Sequence, residues 1–249
     1  MTYCLGIKVK TGLVAFADTR LTFGTEVTTA RNLTVHQLEN HSLFLMTSGL
    51  RSVRDKALTY FNEVLKEQDS NFDKLYKAVN AFGEQMRRVV KEGKEDLESA
   101  GLGFNLHAMV GGQLEKDEEH KLYLLYPQGN WVEVGQGTPF FTIGNSGYGK
   151  PLLHRSLRYQ TNLRDALKDG QLSFDSTYVS ANDVDYPIDI VIYCKDSFNI
   201  VEHRFEREDL AGVSIKWSEL LNQSIQKLPD EWMNSIFNQV TTSNQSDAA

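Results

Sequence analysis

The chain has 249 residues, of which 41% are hydrophobic and 24% are charged, and its formal net charge is −7. This composition is typical of a globular protein with a full core, and the length fits one large domain or two small ones. The acidic balance argues against nucleic-acid binding, which needs clustered lysine and arginine. No apolar run approaches the roughly 20 residues that cross a bilayer, and the start lacks the features of a secretory signal. We therefore expect a cytoplasmic protein without nucleic-acid or membrane partners.

The first half of the chain predicts paired strands followed by two long helices. Apolar and other residues alternate over Tyr3–Val9, and the apolar run at 13–17 completes a predicted hairpin. A second strand pair is predicted at 32–37 and 43–47. Two amphipathic helices follow, with apolar stripes at Val53, Ala57, Leu58, Phe61, Val64 and Leu65 and at Phe72, Leu75, Tyr76, Val79, Phe82, Met86 and Val89.

The second half mixes strands and helices. Its composition shows no break and no Pro/Ser-rich linker, so we predict a single domain over residues 1–240 and a disordered tail at 241–249. The predicted elements are strands at 104–111, 122–126, 131–134 and 140–143, a weaker helix at 151–167, strands at 188–195 and 198–205, and a C-terminal helix at 217–240 interrupted near Pro229.

This order of elements predicts the fold class. Strands that follow one another through hairpins form antiparallel sheets, with helices packed outside them. Two stacked antiparallel sheets between two helical layers fit the order, so we predict an α+β protein built as a four-layer αββα sandwich. A doubly wound parallel sheet does not fit, because it needs strands and helices in strict alternation.

Residues 144–150, Gly-Asn-Ser-Gly-Tyr-Gly-Lys, match the G-x-x-x-x-G-K part of a phosphate-binding loop. The next position of that motif is a Ser or Thr whose hydroxyl binds magnesium, but here it is Pro151. Proline is a common residue in the first turn of a helix. We therefore interpret the segment as a turn before a helix. The histidines and two cysteines lack metal-ligand spacing, so we expect no metal and no cofactor.

Thr2 is a candidate nucleophile. A methionine followed by a small residue is normally removed, which would make Thr2 the first residue. An N-terminal threonine can act alone, because its Oγ is a nucleophile and its free α-amine is a general base. Such an amine has a pKa of about 7.7–8, so part of it is unprotonated at neutral pH. This signal is weak by itself, since many unrelated proteins begin with Met-Thr.

The context strengthens the signal, because Asp18 follows Thr2 by 16 residues at the end of the second predicted strand. This spacing, the Thr-Ser-Gly at 47–49 and the glycine-rich 144–149 resemble the proteasome β-subunit family over Thr2 to Phe205. The Met-Thr-Tyr start, the Asp-Thr-Arg at 18–20 and the Ser-Gly-Tyr-Gly-Lys-Pro at 146–151 are similar to its bacterial Anbu (ancestral β-subunit) group. The resemblance implies the N-terminal nucleophile hydrolase fold and a threonine peptidase that hydrolyses peptide bonds.

The resemblance also implies roles for individual residues. Thr2 would be nucleophile and base, and Asp18 would be the buried carboxylate that orients the site. The backbone N–H of Gly49 would stabilise the oxyanion, and Ser146 would form a hydrogen bond near the threonine amine. Thr47 would line the pocket for the substrate side chain.

Asn32 departs from the family pattern, because the resemblance leads us to expect a lysine there. Asparagine can donate hydrogen bonds to Asp18 and to Thr2 Oγ, but it brings no positive charge. Without that cation beside an ionised Asp18, the pKa of the neighbouring amine should rise. Arg20 or Arg31 could restore the charge, although an arginine cannot shuttle protons. Three hypotheses stay open: a weak peptidase, a peptidase rescued by an arginine, and a catalytically inactive assembly subunit.

Two further aspartates, Asp183 and Asp185, precede the strand predicted at 188–195. The resemblance makes them candidates for supporting the threonine site, and an ordinary turn before a strand is the alternative. Relatives of this kind assemble, so we also expect a homo-oligomer, as a ring or spiral, formed through contacts of the helix layers. Its substrate would be a peptide or an unfolded protein.

Overall fold

The computed structural model describes residues 2–23, 26–68 and 72–238, so the predicted tail at 241–249 lies outside the described residues. The elements in chain order are β1 (Tyr3–Val9), β2 (Gly12–Asp18), β3 (Arg20–Phe23), β4 (Glu26–Thr29), β5 (Leu33–Leu38), β6 (His41–Gly49), α1 (Arg51–Gln68), α2 (Leu75–Ser99), β7 (Leu106–Gln113), β8 (Lys121–Leu125), β9 (Trp131–Glu133), β10 (Phe140–Gly144), α3 (Lys150–Ser156), α4 (Leu163–Tyr178), β11 (Ile188–Cys194), β12 (Ile200–Phe205), α5 (Arg207–Ile225) and a 3₁₀ turn (Glu231–Met233).

Two five-stranded sheets carry the fold, and all of their neighbouring strands are antiparallel. The first sheet has the order β10-β1-β2-β11-β12, and the second has the order β5-β6-β7-β8-β9. Strands β3 and β4 form a separate small hairpin. The predicted hairpins therefore produce two open sheets, as expected for strands that follow one another closely in the chain.

The two sheets pack face to face, and their shared core contains Leu13, Phe44, Met46, Met109 and Val191. Along β6, successive side chains point to opposite faces of the sheet, as in any strand. Residues on the outer face of the second sheet pack against α1 and α2 in a second core. That core includes Leu43, Leu45, Val53, Phe61, Phe82 and Val110.

Helices α3 and α4 cover the outer face of the first sheet. The rings of Tyr3 in β1 and Phe174 in α4 lie 5.9 Å apart. Gly170 of α4 has no room for a side chain, because a Cβ there would lie 2.1 Å from the Phe16 ring in β2. The four layers are therefore helices, sheet, sheet and helices, which confirms the predicted αββα sandwich.

Several predicted boundaries differ from the structure. The β3–β4 hairpin was not predicted, and the helix predicted at 151–167 is two helices. A new helix begins at Leu163 because the Asn162 side chain accepts a hydrogen bond from the Asp165 backbone N–H at 3.0 Å. Helix α5 begins ten residues before the predicted start at 217. There the backbone N–H of Glu206 donates to the carboxylate of Asp209 at 2.8 Å, which caps the first turn.

The chain groups into two compact units, Met1–Asp209 and Leu210–Ala249. The first unit holds both sheets and α1 to α4, and the second holds most of α5 and the 3₁₀ turn. The single domain expected over residues 1–240 stays a prediction.

Candidate active site

Thr2 lies directly before β1, and its position is set by the turn that follows β10. Its carbonyl oxygen accepts a hydrogen bond from the backbone N–H of Asn145 at 2.7 Å. Gly144 has a φ of +83°, and a Cβ at this position would lie 1.9 Å from the Thr2 carbonyl oxygen. Only glycine adopts this conformation readily and leaves room for that oxygen. The turn therefore holds the backbone of Thr2 in place.

Asp18, the last residue of β2, lies beside Thr2 because β1 and β2 pair with Cys4 opposite Ala17. The Thr2 hydroxyl donates a short hydrogen bond to Oδ1 of Asp18. The backbone N–H of Tyr3 donates to the same oxygen at 2.9 Å. The structure thus brings together the threonine and the aspartate that are 16 residues apart in the sequence.

The Asp18 side chain is completely buried, and this burial dominates its electrostatics. Burial raises the pKa of Asp18 to about 7, although the hydrogen bonds from the Thr2 hydroxyl and the Tyr3 N–H favour the carboxylate and lower it. Near neutral pH this group therefore titrates beside the hydroxyl of Thr2.

Asn32 completes the surroundings of the Thr2 hydroxyl. Its side-chain Nδ2 donates to Thr2 Oγ and to the Asp18 carbonyl oxygen, both at 2.7 Å. Its backbone carbonyl oxygen accepts from the Thr47 N–H at 2.9 Å, which anchors Asn32 directly before β5. Thr2 Oγ consequently donates to a carboxylate and accepts from an amide.

Arg54, in the first turn of α1, is a site residue that the sequence patterns did not reveal. Its Nη1 donates to the side-chain oxygen of Asn32 at 2.5 Å, and its Nε donates to Asp55 at 2.9 Å. It is only 4% exposed. One signal in the sequence could have revealed it, since Arg54 lies three residues before Ala57 and seven before Phe61, close to the apolar stripe of this helix.

The two arginines that the sequence suggested as substitutes for the lysine contact carboxylates elsewhere. Arg20 Nη1 pairs with Asp185 at 2.9 Å. Arg31 pairs with Glu202 through Nη2 and lies 3.6 Å from Asp189 through Nε. The guanidinium that reaches Asn32 is therefore that of Arg54.

Thr2 opens onto a cavity of about 1030 Å³, which Gly49 and Ser146 also line. Gly49 has a φ of +149°, and a Cβ there would lie 1.8 Å from the Asn105 carbonyl oxygen. Glycine is thus required by the close approach of the chain before β7. Gly49 and Ser146, which the resemblance places in the site, therefore share one cavity with Thr2.

Thr47 occupies a different place from the one expected. It is completely buried, whereas its neighbour Ser48 lines the cavity. In β6, Leu45 faces α1 and α2, while Met46 faces the other sheet. By alternation Thr47 points toward the helices and Ser48 toward the space between the sheets. Of this pair, Ser48 is the residue whose side chain lines the cavity.

The candidates Asp183 and Asp185 have different surroundings. Asp183 Oδ1 accepts a hydrogen bond from the Asn145 side chain at 3.1 Å, so it contacts the turn that holds Thr2. Asp185 pairs with Arg20 and also accepts from the Tyr186 N–H at 2.8 Å. Asp183 is thus linked to the nucleophile through one residue, whereas Asp185 belongs to an ion pair.

Cationic groups predominate among the described residues that line the cavity. Arg20, Arg51, Arg54 and Lys150 all contribute to its wall, against the single carboxylate of Asp55. This surplus of positive charge favours negatively charged groups, such as carboxylates, in the cavity.

The described residues include no group of three or more His, Cys, Asp or Glu side chains that could hold a metal ion. Within the same part of the chain, no helix is long and apolar enough to cross a membrane. Two of the three glycines of the phosphate-loop-like segment, Gly144 and Gly149, have packing roles. Gly144 makes room for the Thr2 carbonyl, and a Cβ at Gly149 would lie 2.0 Å from Ser173 Oγ of α4.

Comparison with known proteins gives one consistent result. Residues 2–192 match the family model described as "Proteasome subunit". Among solved structures, a Gly-1 mutant of Anbu from Hyphomicrobium sp. strain MC1 is 32% identical with a TM-score of 0.84, over 92% of this chain and 98% of that one. Anbu from Yersinia bercovieri is 30% identical with a TM-score of 0.83, over 91% and 98%.

A third similar structure is the helical assembly of the Anbu complex from Pseudomonas aeruginosa, whose chain is 28% identical with a TM-score of 0.86. The similarity covers 91% of this chain and 97% of that one. No curated protein matches the chain.

Proposed function

Because this chain belongs to the proteasome family, within its Anbu (ancestral β-subunit) group, we propose that it is a threonine peptidase with Thr2 as nucleophile. Family membership makes it a proteasome-like N-terminal nucleophile hydrolase. The specific use of Thr2 and the hydrolysis of peptides or unfolded proteins in the cytoplasm are parts of the proposal.

The observation that carries the proposal is the environment of one hydroxyl. Thr2 Oγ donates to the buried carboxylate of Asp18 and accepts from Asn32 at 2.7 Å, at the edge of a cavity large enough for several residues of a peptide. A threonine with a purely structural role has no need of such a cavity. The arrangement supports a hydroxyl held ready to react with a bound molecule.

In the proposed mechanism, removal of Met1 frees the α-amine of Thr2. This amine takes the Oγ proton as Oγ bonds to the peptide carbonyl carbon. The resulting ammonium protonates the leaving amine as the C–N bond breaks, which leaves an ester on Thr2. Water, deprotonated by the same amine, then attacks the ester, and Oγ leaves with the proton restored.

The other residues of the site would support these steps. We assign Asp18 to orienting Thr2 and to opposing the positive charge of the ammonium. The backbone N–H of Gly49 would donate to the oxyanion of the tetrahedral intermediate. Ser146 and Asp183, on the side of the 144–145 turn, would contact the freed amine.

The test is the intact mass of the purified protein before and after a threonine-directed epoxyketone, which needs both Oγ and a free amine to form its ring. We expect loss of Met1 and one adduct, absent in the Thr2→Ala variant. Retained Met1, or a free Thr2 that forms no adduct, would overturn the proposal and favour a catalytically silent subunit.

We further propose that the protein is a homo-oligomer in which α5 contacts a second copy. None of the side chains of α5 is buried, and its apolar residues Ile215, Leu221 and Ile225 are each more than 40% exposed. Helices in proteins gain most of their stability from packing an apolar face. The Anbu complex from Pseudomonas aeruginosa forms a helical assembly, which supports a ring or spiral here.

A further inference from the structure

Asn32 contacts hydrogen-bond acceptors at one end of its side-chain amide and a hydrogen-bond donor at the other. The NH₂ end donates to Thr2 Oγ and to the Asp18 carbonyl oxygen. The oxygen end accepts from Arg54 Nη1 at 2.5 Å. These contacts form one continuous chain from a guanidinium through an amide to the hydroxyl of Thr2.

We infer that Arg54 is a positioning residue that orients and polarises the Asn32 amide, so that this amide gives Thr2 Oγ the stabilisation expected from a lysine. The inference rests on the proposed threonine-peptidase function. It supports the hypothesis of a peptidase rescued by an arginine, and that arginine is Arg54 instead of Arg20 or Arg31.

Orientation follows from the chemistry of the two groups. A guanidinium only donates hydrogen bonds. Arg54 therefore bonds to Asn32 only when the amide oxygen of Asn32 points toward it. A flipped amide would also place its oxygen against the Asp18 carbonyl oxygen, which is an acceptor too. The Arg54 contact therefore holds the NH₂ group on Thr2 Oγ.

Polarisation follows from the charge. Hydrogen bonds from an ionised donor are stronger than neutral ones, and linked hydrogen bonds strengthen each other in a low-dielectric interior. The cation on Arg54 withdraws electrons from the Asn32 amide, which makes its NH₂ a better donor. This donor stabilises the negative charge that develops on Thr2 Oγ as the proton leaves, and the arginine itself transfers no proton.

The location of Arg54 is costly for stability, which argues that it serves another purpose. Its side chain is about 95% buried, and it lies in the first turn of α1, where the positive end of the helix dipole disfavours a cation. Asp55 provides a counter-charge at 2.8 Å, but that carboxylate is half-exposed. The neighbours Val53 and Ala57 show that apolar residues pack well on this side of the helix.

The experiment measures the rate of epoxyketone addition to Thr2 by intact mass between pH 5.5 and 9, in the full-length protein. We expect Arg54→Met to slow the reaction about 10-fold at pH 7.5 and to move the pH profile to higher pH; the loss is smaller than the roughly 100- to 1000-fold effect of removing a direct oxyanion donor, because the Asn32 NH₂ group stays in place. Arg54→Lys should slow the addition less than Arg54→Met does. Arg88→Met serves as the matched control, because it removes an arginine from α2 that contacts Glu92 and Tyr60.

A double substitution separates the relay from a purely structural role. In Asn32→Lys the new cation lies against Arg54, so the reaction should be slower than in the wild type. In Asn32→Lys combined with Arg54→Met one cation remains, and the rate should recover to within about fivefold of the wild type. If Arg54→Met does not fold, this pair alone decides, because an Arg54 that serves only the fold leaves the double variant unfolded and unreactive, whereas the relay predicts a folded double variant that forms the adduct.

Two outcomes overturn the inference in distinguishable ways. If the wild type and Arg54→Met react equally, with the same pH profile, Thr2 is reactive without help from Arg54 and the peptidase proposal stands. If the wild type forms no adduct even after loss of Met1, the peptidase proposal fails and this inference fails with it.

Discussion

Every residue of β1 and β2 is buried, whereas α5, a helix of 19 residues, has no buried side chain. The strands hold Thr2 and Asp18 at hydrogen-bond distance because packing on both faces prevents their movement. The exposed apolar residues of α5 suit a contact with a second copy. The proposed chemistry and the proposed assembly therefore involve different regions, which can be disrupted separately.

The largest effect is expected at Gly144, which supports the strand region. In Gly144→Ala the new Cβ would lie 1.9 Å from the Thr2 carbonyl oxygen, at a φ of +83° that disfavours any side chain. We expect epoxyketone addition to be abolished and the free energy of unfolding to fall by about 2–3 kcal/mol. Gly147→Ala is the matched control, because no atom lies within 4 Å of its Cβ position. Equal behaviour of the two variants would contradict the role of the turn.

The next effect concerns Asp18, whose burial disfavours the ionised carboxylate in the folded protein. Its pKa rises from 3.8 to about 7 on folding, so it stabilises the fold below pH 4, and this contribution is lost as the pH increases through 7. Asp18→Asn cannot ionise, so it should become more stable than the wild type as the pH rises from 4 to 8. The limit is on the order of 4 kcal/mol.

Urea denaturation of both proteins at pH 5 and pH 8 measures this difference, and epoxyketone addition measures the reactivity that Asp18→Asn should lose. A stability difference that does not change with pH would show that Asp18 is ionised in the fold throughout this range.

The smallest effect on reactivity is expected in α5, where assembly should be lost instead. Leu221 and Ile225 lie four residues apart on one helix face, and both are exposed. We expect Leu221→Asp combined with Ile225→Asp to reduce the mass measured by light scattering, while the fold is retained. Gln223→Asp with Gln226→Asp is the control, since it adds the same two charges at exposed polar positions away from the face of Leu221 and Ile225. A wild type at the 28.2 kDa of a monomer would refute the assembly itself.

Much of the fold and part of the site could be predicted from local patterns. The alternation in β1 and the helical stripes of α1 and α2 are consequences of backbone geometry, which acts over a few residues. The β3–β4 hairpin could not be found this way, because its short strands carry no clear apolar alternation. The break between α3 and α4 has only a weak local signal, the single cap residue Asn162.

The sequence by itself determined most of the order of strands and helices and the interval of 16 residues that sets Asp18 beside Thr2. Both depend on repeating backbone geometry and on a single hairpin. Only the tertiary structure decided that Arg54 reaches Asn32 and that Ser48, not Thr47, faces the cavity. Those facts depend on how α1 and β6 pack against elements distant in the chain, and burial of a cation costs energy that no local pattern records.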